Sequence, residues 1–375
     1  MKTLITNLVF LLALKLNAQW VLVNPPISVN NLNSVHFVNN NIGWILVGTG
    51  PLLKTTNGGL NWVQQPHGSF ETFLSLYFVS SNIGWIVGTN GTILKTIDGG
   101  TNWISQNSGV TTTFQDVFFI NSDIGWVVGN NGIILKTTDG GNSWVQQTSG
   151  TTKWLYSIHF VDQNTGWVVG NEGAIYKTTN GGNTWLSQSI ATFQANNSVY
   201  FVDSNTGWLV GSQGLIRKTT NGGQNWNVQA SGTVQPLNSV FFINADKGWT
   251  VGGNGQIYFT TNGGNTWNLQ STNVTNNLRS VFFINENSGW AVGQDGCALY
   301  TNNGGVTFVR EGGGLLNDFI LFQNYPNPFN PSTKISWQMP VSGHTTLKVY
   351  DVLGNEVATL VDEYREAGNH EIEFN

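Results

Sequence analysis

Charge is scarce in this chain. Asp, Glu, Lys and Arg make up 9% of its 375 residues, against roughly 25% in an average soluble domain. The net charge is −5 and no basic cluster stands out. The electrostatic footprint of a nucleic-acid binder is therefore missing, and no nucleic-acid partner is expected. Cysteine is almost absent. Cys297 is the only one, so no disulfide can form within the chain, and it reads as a tolerated strand residue rather than a nucleophile. Histidine numbers five, and no His, Asp and Glu group has metal-ligand spacing. No metal and no cofactor are expected. Long apolar runs are missing too: Leu4 to Leu14 is too short to span a bilayer comfortably. Glycine and aromatic residues are what abound. There are 46 glycines and 16 tryptophans, with 12% aromatic residues overall, which is apolar bulk enough for a large core.

The tryptophans are periodic. Trp44, Trp85, Trp126, Trp167, Trp208, Trp249 and Trp290 follow one another at 41 residues, each after a glycine. Trp62, Trp103, Trp144, Trp185, Trp226, Trp267 and then Phe308 keep the same step. Self-similarity at such a period decides the fold before any local reading. One unit shows how. Asp116 to Ile120 is a β-branched and aromatic run and reads as a strand. Trp126 to Gly129, Ile133 to Thr137 and Trp144 to Gln147 follow as strands. Asn131-Gly132 suits a tight hairpin, since both residues tolerate positive φ. Four short antiparallel strands per unit, seven times over, predict an all-β, seven-bladed propeller. In the first strand, Phe37 and Val35 and their counterparts fall on one face and should pack between blades. Between them lie His36, Tyr77, Phe118, His159, Tyr200, Phe241 and Phe282, so both histidines are expected to pack rather than to ligate. Trp20 to Val23 looks like an eighth outer strand. It competes with Val306 to Val309 to complete the last blade, with the N-terminal strand favoured.

The turn before the second ladder reads Thr96-x-Asp98-x-Gly100-x-x-Trp103 and Thr137-x-Asp139-x-Gly141-x-x-Trp144. Asn57, Asn180, Asn221, Asn262 and Asn303 stand at the acidic place elsewhere. This resembles the Asp-box (BNR) turn of sialidase-type propellers, and the Asn/Asp mixture points to hydrogen bonding over charge. Asp162 to Gly166 and Asp203 to Gly207 read as Asx turns, since they lack the bidentate Glu of a calcium loop. The full consensus is Gly-Trp-x-Val-Gly, a hairpin, then Lys-Thr-Thr-Asn/Asp-Gly-Gly-x-x-Trp. Over residues 20–305 it is similar to the photosystem II assembly and stability factor family. That resemblance implies photosynthesis-related assembly of a reaction-centre protein through a basic patch. Here Lys54, Lys95, Lys136, Lys177 and Lys218 recur at one position, which Phe259 and Tyr300 take in the last two blades. The lysines are expected on a solvated strand.

Both ends depart from the period. Residues 1–18 read as a secretory signal, with Lys2 before the apolar run and Leu16-Asn17-Ala18 as the cleavage site. The propeller is expected over 19–311 and a Gly-rich linker over 312–317. Residues 318–375 carry Asn324-Tyr325-Pro326-Asn327-Pro328-Phe329, and later Tyr350-Asp351 and Leu353-Gly354. This segment resembles the C-terminal sorting domain of the type IX secretion system of Bacteroidetes. The resemblance implies an immunoglobulin-like sandwich read by the outer-membrane secretion machinery, and a secreted or cell-surface location. Set against that family the domain is expected to be incomplete, lacking its final strands.

Propeller glycosidases need two carboxylates about 5–9.5 Å apart. Beyond the acids of the repeated turns, the ring offers only the non-repeating Glu71, Asp116, Glu172, Glu286 and Asp295. No catalytic residues are therefore assigned, and a hydrolase of the sialidase or xyloglucanase type stands as the alternative. The expected activity is monomeric, non-catalytic binding of a protein or polysaccharide. The candidate site is what breaks the repeat: Trp154 in Lys153-Trp-Leu-Tyr156, with Phe114 and Asp116 near it in blade order. Asp116 stands where the other six units have Ser.

Overall fold

The computed structural model describes residues 9–14, 20–23, 25–26, 30–305, 320–321, 332–339, 341–350 and 355–374. They fall into two compact units, Trp20–Gly305 and one made of both chain ends. The larger unit is seven four-stranded antiparallel sheets. In the third blade the strands are Phe114–Phe119, Gly125–Gly129, Ile134–Thr137 and Val145–Gln146. Strand order follows chain order in six sheets. In the seventh, Val21–Val23 pairs with Ala298–Thr301, Val21 opposite Tyr300. The N-terminal strand thus closes the ring, as favoured from sequence. Val306 to Val309, the linker and Asn324 to Phe329 lie outside the described residues.

The ladders explain the packing. Each Trp of the first ladder stacks on the first-strand Phe of the next blade, as Trp44 on Phe78 at 3.6 Å and Trp290 on Phe37 at 3.6 Å. Each described second-ladder Trp meets the same Phe edge-on from its own blade, as Trp103 on Phe78 at 6.2 Å. Trp20 takes that place in blade seven, 5.7 Å from Phe283. Offset stacks and edge contacts are the favoured aromatic geometries, worth about 0.5–1.5 kcal/mol beyond area burial. The glycine before each first-ladder Trp is fixed by this sandwich, because a Cβ on Gly125 would run into the Phe119 ring. Hydrophobic clusters accordingly straddle neighbouring blades: Trp126, Val128 and Ile134 pack with Leu155, Ile158 and Phe160.

The turn chemistry is that of hydrogen bonds. Thr96 Oγ1 donates to Asp98 Oδ1 at 2.8 Å, and Asn102 N donates to it at 2.9 Å. With Asn57 the same two contacts are 3.0 and 2.9 Å, so a neutral amide does the same work. In the hairpins Asn131 and Gly132 both take positive φ, 58° and 71°.

The lysine ladder corrects an expectation. These lysines are half-buried rather than solvated. Each ammonium lies over the first-ladder Trp of its own blade, 5.5, 5.5, 5.4, 4.9 and 5.1 Å from the ring centroid. Lys54 Nζ also donates to Gly99 O of the next blade at 2.9 Å. The surface a docking patch would need is used as blade cement. Where Lys is missing, Phe259 and Tyr300 cover the same rings, at 4.9 and 5.3 Å.

The smaller unit has two three-stranded antiparallel sheets. One holds Ile320–Leu321, Thr333–Met339 and Gly368–Phe374, the other Val9–Leu14, Gly343–Tyr350 and Glu356–Arg365. Ile335, Trp337 and Met339 of the first share a buried cluster with Leu347 and Val361 of the second. Val9–Leu14, read from sequence as part of a signal, pairs with Gly343–Tyr350. An apolar extended run is a ready partner for an open sheet edge.

Candidate functional site

One face of the ring is built from the loops that lead from each fourth strand to the next blade, together with the hairpins between second and third strands. Backbone bonds knit them: Thr89 N donates to Thr72 O at 3.0 Å, and Gly91 N to Thr112 O at 2.7 Å. Trp154 lies on this face and is 45% exposed. Its carbonyl accepts from Asn171 N at 3.0 Å, which anchors the backbone under the indole. Lys153 turns back to Glu172, donating to its carbonyl at 2.8 Å and pairing with its carboxylate at 3.7 Å. Tyr156 is half-buried, and burial, then the charge of Glu172, raises its phenol.

The other two candidates belong elsewhere. Phe114 is fully buried in the core between blades two and three, so it cannot touch a ligand. Sequence position suggested a loop residue, but the first strand begins at Phe114 itself. Asp116 is half-buried and faces the ring axis. Its Oδ1 accepts from Ser75 Oγ at 2.7 Å and Val117 N at 2.9 Å, and its Oδ2 from Ile158 N at 3.0 Å. In other blades the equivalent Ser Oγ accepts the matching amide, as Ser198 from Val240 N at 3.2 Å. Asp116 is therefore a stronger version of an interblade stitch. Burial pushes its carboxyl up to about 6 against the pull of those donors.

Two residues of the loop face escaped the sequence reading. Phe70 and Val234 are 106% and 80% exposed, and Phe193 is 100% exposed. The signal was available, since 70, 193 and 234 are one loop position counted in steps of 41. The acids are dispersed. Glu71 accepts from Thr89 and Asn90, which holds it below the usual carboxylate range. Glu286 pairs with Lys247, and Asp295 accepts from Asn276 Nδ2 at 3.3 Å. Among the described residues no group of three or more His, Cys, Asp and Glu could hold a metal ion. Cys297 is buried, and burial raises its thiol to about 11.

At the axis the seven first-strand residues between the packing rings close on themselves. His36, Tyr77, Phe118, His159, Tyr200, Phe241 and Phe282 follow at centroid distances of 4.8, 5.1, 5.2, 4.5, 5.0, 5.1 and, back to His36, 4.7 Å. The two histidines do pack, as expected, but as members of an aromatic ring lining a channel.

Seven four-stranded blades, with Asx-capped turns recurring between the third and fourth strands, define the class: an Asp-box type β-propeller. A sequence model of the family described as photosynthesis system II assembly factor YCF48 matches residues 66–150, 146–234 and 228–302. The chain belongs to that family. No curated protein sequence matches it. Its fold is similar to that of a structure described as YCF48 bound to D1 peptide, with 22% identity, TM-score 0.65, and coverage of 77% of this chain and 96% of that one. It is similar to YCF48 from Cyanidioschyzon merolae, with 20% identity, TM-score 0.65, and coverage of 76% and 98%. It also shares its fold with a GH74 enzyme of Niastella koreensis, with 13% identity, TM-score 0.60, and coverage of 91% and 67%.

Proposed function

We propose that this propeller is a non-catalytic binding protein that captures an extended segment of another protein on the loop face carrying Trp154. The observation that carries this reading is the exposure of Trp154, Phe193 and Phe70 on one face of an otherwise well-buried aromatic fold. Exposed aromatic anchors on a rigid frame are what interface hot spots are made of. Family membership supports a peptide ligand, since one member is described as bound to a peptide. What carries over is the ligand class, not the D1 sequence or a photosynthetic setting.

In this reading the protein is exported by residues 1–18. The smaller unit is an immunoglobulin-like sorting domain addressed to the outer-membrane secretion machinery. Loss of residues 1–18 would free the edge of Gly343–Tyr350.

The test is the double variant Trp154→Ala, Phe193→Ala on peptide, outer-membrane protein and glycan arrays. Loss of peptide binding by about tenfold or more, as for removal of a hot-spot anchor, supports the reading. Unchanged peptide binding, or binding confined to glycans, overturns it. Turnover of xyloglucan or sialosides would overturn the non-catalytic part and favour the hydrolase.

A further inference from the structure

The axial cavity lies apart from the loop face and is lined by two polar ring atoms without partners. It has a volume of about 350 Å³ and is lined by the aromatic ring together with Ser34, Ser75, Asp116 and Ser157. That volume is at the small end of ligand pockets. Nδ1 of both His36 and His159 is buried without a hydrogen-bond partner, which native interiors rarely tolerate without a reason. The two imidazoles are three blades apart on the ring, nearly across the channel from each other, so they cannot share one metal ion.

The charges in this cavity are one-sided. Burial lowers both imidazoles to about 3, so they are neutral at pH 7. It raises the Tyr200 phenol to about 12 and the Tyr77 phenol further, so both stay protonated. Asp116, titrating near 6, is left as the one formal charge among the lining residues, and it is negative. The nearest guanidinium in sequence, Arg279, donates to Asn33 Oδ1 at 2.7 Å instead. Neutral imidazole nitrogens, hydroxyl oxygens and aromatic π systems all favour a positive guest over a negative one.

We infer that the axial channel is a binding site for a small organic cation, an ammonium held between the Asp116 carboxylate and the ring of His36, Tyr77, His159 and Tyr200. This site is separate from the Trp154 face and does not depend on what that face binds.

Benzylammonium, benzyl alcohol and benzoate, titrated into the full chain by calorimetry and ligand-observed NMR, test it. Benzylammonium should bind, with benzyl alcohol at least about tenfold weaker and benzoate weakest, because the difference is one desolvated charge contact. Asp116→Ser installs the residue found at the six equivalent positions, so the fold should survive, and an unchanged melting profile checks this. That variant should lose the preference for benzylammonium. The wild-type preference should also fade as pH drops through about 6, where Asp116 takes up its proton. Equal binding of the three compounds, no binding of benzylammonium, or a preference that survives Asp116→Ser overturns the inference.

Discussion

The junction between blades seven and one differs from the six that precede it. In each of those six the first-ladder indole stacks on the next Phe and also donates to a turn carbonyl of the next blade. Trp44 reaches Gly99 O at 3.1 Å, and Trp249 reaches Gly304 O at 2.9 Å. At the last junction Trp290 keeps its stack on Phe37, but its Nε1 is buried without a partner. Lysine is missing there, as it already is in blade six, with Tyr300 in its place. Chain-specific contacts make up part of the difference. Arg279 Nη1 donates to Asn33 Oδ1 at 2.7 Å, and Asn285 Nδ2 donates to Asn40 Oδ1 at 3.3 Å. The apolar stack is thus the invariant part of a blade interface. Its polar bonds are exchangeable, and the repeat relaxes where the ring closes.

Four perturbations test that contrast. The largest effect is expected from deleting residues 20–23. This removes the outer strand of blade seven and the buried Trp20; limited proteolysis should then cut first within blade seven. Next comes Trp126→Ala, which loses a buried stack and the bond to Gly181 O at 3.2 Å. It should cost about 3–5 kcal/mol in denaturant unfolding, as buried Trp truncations do. Trp290→Ala should cost less by about 1 kcal/mol, the net worth of one hydrogen bond; an equal or larger cost would erase the distinction between the junctions. Third, the ring histidines should penalise acid. Their folded pKa, about 3, lies below the unfolded value near 6.5. The unfolded chain therefore binds more protons between those values, and stability falls as pH drops through that window. Asp116, raised to about 6, acts in the opposite sense between 6 and 4. His36→Phe with His159→Phe, using the residue of three other blades, should flatten the acid loss in pH-dependent melts. The smallest effect is expected from Tyr300→Lys. It restores the repeat residue over Trp290 and should add no more than about 1 kcal/mol; a destabilisation would show that the last junction is tuned for tyrosine.

The ring was legible because each blade repeats one solution to one packing problem. Gly43, Trp44 and Phe37 recur together since the glycine makes room for the ring on which the previous blade's Trp stacks. Two features were not legible. Alternation placed His36 between packing residues, but it could not show that seven such side chains meet around the axis; that follows only from closure. Asp116 and Phe114 lie two residues apart and near Trp154 in blade order. Nevertheless, a bulge between Phe114 and Asp116 and the inward position of the first strand take them away from the loop face. The lysine ladder misled for a related reason: strand alternation gives direction, not what a long aliphatic stem can reach.

Closure by the N-terminal strand also fixes an order of events in time. Val21 pairs with Tyr300, a separation of 300 − 21 = 279 residues. The first six blades are each complete within their own stretch of chain, whereas the seventh waits for both ends of the propeller sequence. Closing so long a loop costs little more entropy than closing a shorter one, but such distant contacts slow the search for the native state. Until Ala298–Thr301 has been made, Val21–Val23 has no partner strand, and the nascent propeller is an open arc with one unsatisfied edge at each end.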